Sequence, residues 1–150
     1  MARFSTGLRN ALISNYGLGL MMNGGIIRLY SGTIPESPDG TPTGTELGRI
    51  TTDGLEFVFP NDTFSAGLML QMVSPGVIIN AGNWRLKGIA TGTAAWWRWC
   101  WAGEDLQEYS TYYPRVDGLL GTELVVNTAF ISPFTDVLIE SFSITLGVGA

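Results

Sequence analysis

The chain has 150 residues, a net charge of −5 and only 14% charged residues, against a usual share of about a quarter. Its seven Arg and single Lys are scattered rather than clustered, which argues against a phosphate backbone as a direct ligand. There is no His and only one Cys, which removes the commonest general base and transition-metal ligand and any intrachain disulfide.

In chain order, Phe4 to Ile13 reads as a short helix. Ser5 or Thr6 can cap it, Leu8, Ala11 and Leu12 share a face, and Asn15 with Gly17 offers an end. Phe4, Leu8 and Leu12 form an apolar stripe on a helix too short to stand alone. Either the chain's own sheet or a neighbouring subunit must cover it, and its own sheet is the favoured reading. Leu18 to Met22 is apolar and flexible, and Asn23-Gly24-Gly25 is a turn. Ile26 to Tyr30 is a strand, with Ile27 and Leu29 on one face and Arg28 and Tyr30 on the other. Gly32 to Gly44, with Pro35, Pro38 and Pro42, is a surface loop, read equally as a contact segment or a plain mobile loop.

Glu46 to Thr51 is a strand, and Leu55 to Phe59 alternates as another. Gly67 to Val73 and Val77 to Ile79 are also read as strands. All five Trp lie between Trp84 and Trp101. Trp84 to Ile89 and Ala94 to Trp101 flank the Thr/Gly segment Ala90 to Thr93, the sequence form of a β-hairpin. Trp97, Trp99 and Trp101 share one face, and Trp96, Arg98 and Cys100 the other. Each Trp can bury roughly 200 Å², so Trp97 and Trp99 are assigned to the core. An exposed aromatic platform that stacks a sugar or a base is the alternative.

Glu104 to Tyr113 reads as an acidic, solvated loop, and Asp117-Gly118 as a turn. Glu123 to Thr128 is a strand. Val137 to Leu146 is the last, with Phe142 and Ile144 facing the core. The expected fold is mainly β: a single domain over residues 1–150, an antiparallel β-sandwich or jelly roll with one short N-terminal helix. No run of about 18 apolar residues exists, so no membrane span is expected. No secretory leader is recognisable. The chain is expected to be made in a cytoplasm and used there or assembled there into something larger.

Glu104, Asp105 and Glu108 lack the setting of a catalytic acid pair. No calcium loop, phosphate loop or dinucleotide fingerprint occurs, and no His or suitably placed Lys stands ready to activate a hydroxyl. The reading is therefore of a protein that is not an enzyme, with no catalytic, cofactor or metal residues.

A set of segments nevertheless carries a resemblance. Thr6 to Leu12 is followed by Asn23 to Pro35, then Trp84-Arg85-Leu86, Ala90 to Arg98, Arg115 to Gly118 and Ile139 to Leu146. This order resembles a family of small virion structural proteins of tailed bacteriophages, across most of the chain. Leu18 to Met22 and the Glu104 to Tyr113 loop depart from it. The resemblance implies a particle component, first of all a head decoration (cement) protein. A tail or head–tail connector component is the second choice, and a carbohydrate-binding module using the Trp cluster the third. It implies the major capsid protein and further copies of the chain (a dimer or trimer) as partners. The implied location is the capsid exterior, with the host cytoplasm during assembly. The candidate contact residues, from our own reading, are Phe4, Leu8, Leu12, Ile34, Pro35, Leu106 and Tyr109. Trp97, Trp99, Phe142 and Ile144 are the candidate core.

Overall fold

The structure, a computed structural model, describes residues 2–14, 16–62, 65–134 and 136–146. Met1, in the N-terminal contact segment, and Asn15, at the expected helix end, lie outside the described residues. The chain begins with strand β1 (Arg3–Phe4), helix α1 (Thr6–Ser14) and a single helical turn, α2 (Leu18–Met22). Then follow β2 (Ile26–Tyr30), β3 (Glu46–Thr52), β4 (Met69–Ser74), β5 (Val77–Ala81) and β6 (Trp84–Gly88). The rest is β7 (Gly92–Thr93), β8 (Trp96–Cys100), β9 (Arg115–Leu119), β10 (Leu124–Val126), β11 (Phe130–Ile131) and β12 (Asp136–Thr145).

The main sheet runs β1-β9-β8-β2-β3-β6-β12-β5-β4, with β10 paired to β12. Every strand pairing is antiparallel, and the sheet curls into a half-barrel, a mainly-β, sandwich-like fold. No described helix is long and apolar enough to cross a membrane.

Several local expectations differ from what the chain does, among them Leu18 to Met22, which is the helical turn α2. The two Trp-rich runs do not form a hairpin with each other, because β2 and β3 lie between β6 and β8. The intervening segment carries β7, which pairs with β11. Ala90 to Thr93 lacks the Asn-Gly or Asp-Gly pair of a tight hairpin turn. Long-range pairing wins instead: Trp97 and Trp99 sit opposite Leu29 and Ile27 in register, forming one apolar row. Leu55 to Phe59 is not a strand. Both edges of β3 are already taken by β2 and β6. Asp53 and Gly54, at φ 57° and 68°, then turn the chain out of the sheet. Finally, Asp117-Gly118 is not a turn but the middle of β9. A Cβ on Gly118 would lie 2.4 Å from the Trp97 ring, so this glycine makes room for the indole packed across the strand pair.

The core is aromatic. Phe142 lies 5.1–5.5 Å from the rings of Trp84, Trp97 and Trp99, and Trp84 meets Trp99 edge-on at 5.4 Å. Such offset geometries add to simple burial. Trp84, Trp97, Trp99, Phe142 and Ile144 are all buried, with Ile27, Leu29, Ile50, Leu86 and Val116 around them. Helix α1 covers part of this core through Leu8. Phe4 belongs to β1 rather than to the helix, pairing with Val116, because Ser5 starts the helix instead.

Candidate functional site

Alternation along β8 and β9 sends Trp97, Trp99 and Val116 into the core and Trp96, Arg98, Cys100, Arg115 and Asp117 to the opposite face. That second face is also buried. It is roofed by residues 32–44 and 102–113. The roof is held by two buried arginines, one paired across the strands by register and one paired with a loop carboxylate. Arg98 sits directly across from Asp117 and donates to both its carboxylate oxygens at 2.7 and 2.8 Å. Its third nitrogen, Nη1, donates to the Gly40 carbonyl at 2.9 Å. Arg115 donates to both oxygens of Asp105 at 2.7 Å. It also donates to the carbonyls of Pro38, Asp39 and Glu108 at 3.1, 3.3 and 2.8 Å.

Both Arg side chains are fully buried, and bidentate pairing suits the planar guanidinium. Burial pushes the Asp117 carboxyl up from its ordinary value, while the Arg98 hydrogen bonds pull it down. Trp96 completes this face by stacking on Tyr30 at 4.4 Å, with the Arg98 guanidinium 5.6 Å from its ring centre.

The N-terminal segment is built into the same roof. The Ser5 hydroxyl accepts the N–H groups of Leu8 (3.1 Å) and Arg115 (2.8 Å) and donates to the Tyr113 carbonyl at 2.8 Å. It thereby caps α1 and ties it to β9. The Asp39 carboxylate accepts the Thr6 N–H at 2.7 Å and the Thr6 hydroxyl at 2.6 Å, a favourable place for a negative charge. Arg3 donates to the carbonyls of Pro35 and Glu36. Gly7 is needed here: a Cβ would lie 2.3 Å from the Tyr112 carbonyl oxygen. Gln107, at φ 62°, donates to the Cys100 sulfur at 3.1 Å and accepts from the Tyr30 hydroxyl at 3.2 Å.

The three segments expected to make contacts therefore converge on one surface. Asp105 is buried and paired, so the Glu104 to Tyr113 loop is not the freely solvated acidic loop expected from its composition. The Gly32 to Gly44 loop is likewise pinned through Pro38, Asp39 and Gly40. This frame displays Leu106, Tyr109 and Tyr112, which are 61%, 70% and 86% exposed, among the exposed carboxylates Glu36, Glu104 and Glu108. Of the remaining candidate contact residues, Phe4, Leu12 and Ile34 are half-buried. Leu8 and Pro35 are buried, so neither offers its side chain to a partner. Tyr112 was not singled out from the sequence, although the tyrosines of this loop were the available signal. Arg98, Arg115, Asp39, Asp105 and Asp117 were also missed as a group, because strand register and the closing of two loops over those strands bring them together.

A row of side chains crosses the strands beneath this surface. Arg49 faces Arg28, Arg28 faces Arg98, and Asp117 lies between Arg98 and Arg3. Like charges in register are unfavourable. Glu46 answers the first two, accepting from Arg28 at 3.2 Å and from Arg49 at 2.8 Å. Beside them a cleft of about 330 Å³ is walled by Phe57, Phe59, Trp101 and Leu106. Trp101 is half-buried beside this cleft, and the other four Trp are buried. Among the described residues no three His, Cys, Asp or Glu side chains are grouped to hold a metal ion. Compared with protein-family models, with curated proteins and with solved structures, the chain finds no match.

Proposed function

We propose that this chain is a structural component of a bacteriophage particle, a head decoration protein that binds the outside of the capsid lattice. The single observation that carries the reading is the clamped loop face. Three segments distant in sequence are locked together by two buried arginines and by the Ser5 and Asp39 hydrogen bonds, and they present Leu106, Tyr109 and Tyr112 outward. Aromatic side chains held on a rigid frame lose little entropy on binding, and they are favoured as interface anchors. The resemblance of the segment order to small phage virion proteins supports the same reading. In this reading the major capsid protein is the partner and further copies of the chain act together. Each contact is modest, and the repeated lattice supplies avidity.

The test is binding of purified protein to heads that lack it, followed by imaging of the decorated particles. Leu106→Asp combined with Tyr109→Ser is expected to weaken head binding at least tenfold while leaving the near-ultraviolet dichroism of the Trp core unchanged. Unaltered head binding by that variant would overturn the assignment of this face. Density for the chain on tails and none on heads would move the protein to the tail.

A further inference from the structure

Charge is distributed unevenly along this sequence. Residues 10–27, 63–84 and 141–150 contain no Asp, Glu, Lys or Arg. The fold brings the described parts of these stretches together. Helix α1 packs on α2, and α2 on β4. Gly24 and Gly25 exchange backbone hydrogen bonds with Leu68, β4 pairs with β5, and β5 with the end of β12. The result is a continuous uncharged margin at the β4 end of the strand order, the opposite end from β1 and β9. Glu123, whose carbonyl accepts the Ser143 N–H, borders it.

This margin is underdressed. Most of β4 is exposed, and β5 is only half-buried along its length. Met72 is 74% exposed, Leu20 69% and Ile13 85%, and Met69, Val73 and Leu146 are also open. The edge beside β4 is covered at its start, where Gly24 and Gly25 bond Leu68, and no described strand pairs with it beyond that point. Leu70 directs its N–H away from β5, to the Asn23 side chain at 2.9 Å. By strand alternation Met72 turns its N–H and C=O the same way, and β4 is the last strand in the order. Edge strands are ordinarily protected by Lys, Pro or a bulge. Met69–Ser74 contains no Pro and no charged residue; it has only the bulge between Met72 and Ser74.

We infer that this margin is a self-association surface, with β4 of one copy meeting β4 of a second copy about a two-fold axis. The occupant follows from charge. Two copies each carrying −5 repel. They can meet without burying unpaired charges, a costly step, where neither contributes any. An antiparallel edge-to-edge contact is self-complementary, as a two-fold interface requires. It would satisfy the open backbone groups at Met72 and cover the methionines. The inference does not rest on the particle reading, because it concerns the free protein and a different surface.

The experiment is sedimentation of the full chain at graded concentrations, with Met72→Lys and Met72→Cys as variants. The wild type is expected to dimerise. Met72→Lys places like charges across the axis and should weaken the dimer at least tenfold. Met72→Cys should form an intermolecular disulfide under mild oxidation, since the native Cys100 is buried; this arm decides the matter should the Lys variant not fold. A wild type that stays monomeric would overturn the inference. So would a dimer that tolerates Met72→Lys and gives no Met72→Cys cross-link. A monomer that instead floats with phosphatidylcholine vesicles would reassign the margin to a lipid surface. Leu106→Asp with Tyr109→Ser should leave the dimer intact, so failure of one proposal is separable from failure of the other.

Discussion

Replacing Arg115 by Met is the sharpest test of what holds the loop face together. The Arg115 guanidinium makes two bonds of 2.7 Å to Asp105 and three more to the carbonyls of Pro38, Asp39 and Glu108. Met fills much of the same volume but donates nothing. The Asp105 carboxylate, 2% exposed, would lose its cation, and the three loop carbonyls would lose their donor. Breaking a buried pair from one side costs about 3–5 kcal/mol, a large part of a domain's usual stability of about 5–15 kcal/mol. With a urea slope of about 2 kcal/mol per molar, the midpoint should fall by about 2 M, read by Trp fluorescence. Chymotrypsin should also cut sooner at Leu106, Tyr109 and Tyr112, because the roof loosens before the core does. The double variant Arg115→Met with Asp105→Leu removes the stranded charge and should recover part of the loss. A single variant that costs less than about 1 kcal/mol and leaves the loop resistant to protease would refute the reasoning. The pair would then be incidental to the fixed loops.

Three further outcomes are expected. Trp97→Ala, at a fully buried position against Phe142 and Gly118, should destabilise by about 3–5 kcal/mol in urea titration; a cost near zero would mean the aromatic core is not as packed. Burial pushes the Cys100 thiol up to about 11, with Arg28 opposing, so iodoacetamide at pH 8 should not label it until the chain unfolds. Because this value is raised in the folded state, its contribution is fully present below the ordinary thiol value of about 8.5. It is lost as pH rises from there towards about 11. Cys100→Ala should flatten the decline in stability over that window, and an unchanged decline would assign it to another group.

Local periodicity made much of this fold legible. The alternation in Ile26 to Tyr30 marks a strand with Ile27 and Leu29 inward, and both are buried. Val77 to Ile79 and the long final strand were equally readable. So was the short helix, since Ser5 carries a capping side chain and Leu8 an apolar face. These signals work because burial repeats with the period of the element itself. The same rule misread Leu55 to Phe59, whose alternation is real but whose neighbouring strand has no free edge. Residue type misled at Asp117-Gly118, an Asp-Gly pair of turn chemistry held within a strand by Trp97 and Arg98.

The loop face was legible as three separate segments, not as one surface. Nothing local to Arg98 names Asp117 as its partner, and nothing local to Arg115 names Asp105 or Asp39. Those partnerships exist because β8 pairs with β9 in one register and the loops close over that pair. The sequence determined which apolar faces turn inward along several strands and where the first helix is capped, since those depend on a few neighbours along the chain. Only the tertiary structure decided which strands lie side by side, because pairing is settled by the whole sheet competing for the same edges. The carboxylates that share a buried face with the arginines followed from that pairing, and so did the gathering of the uncharged stretches along one margin.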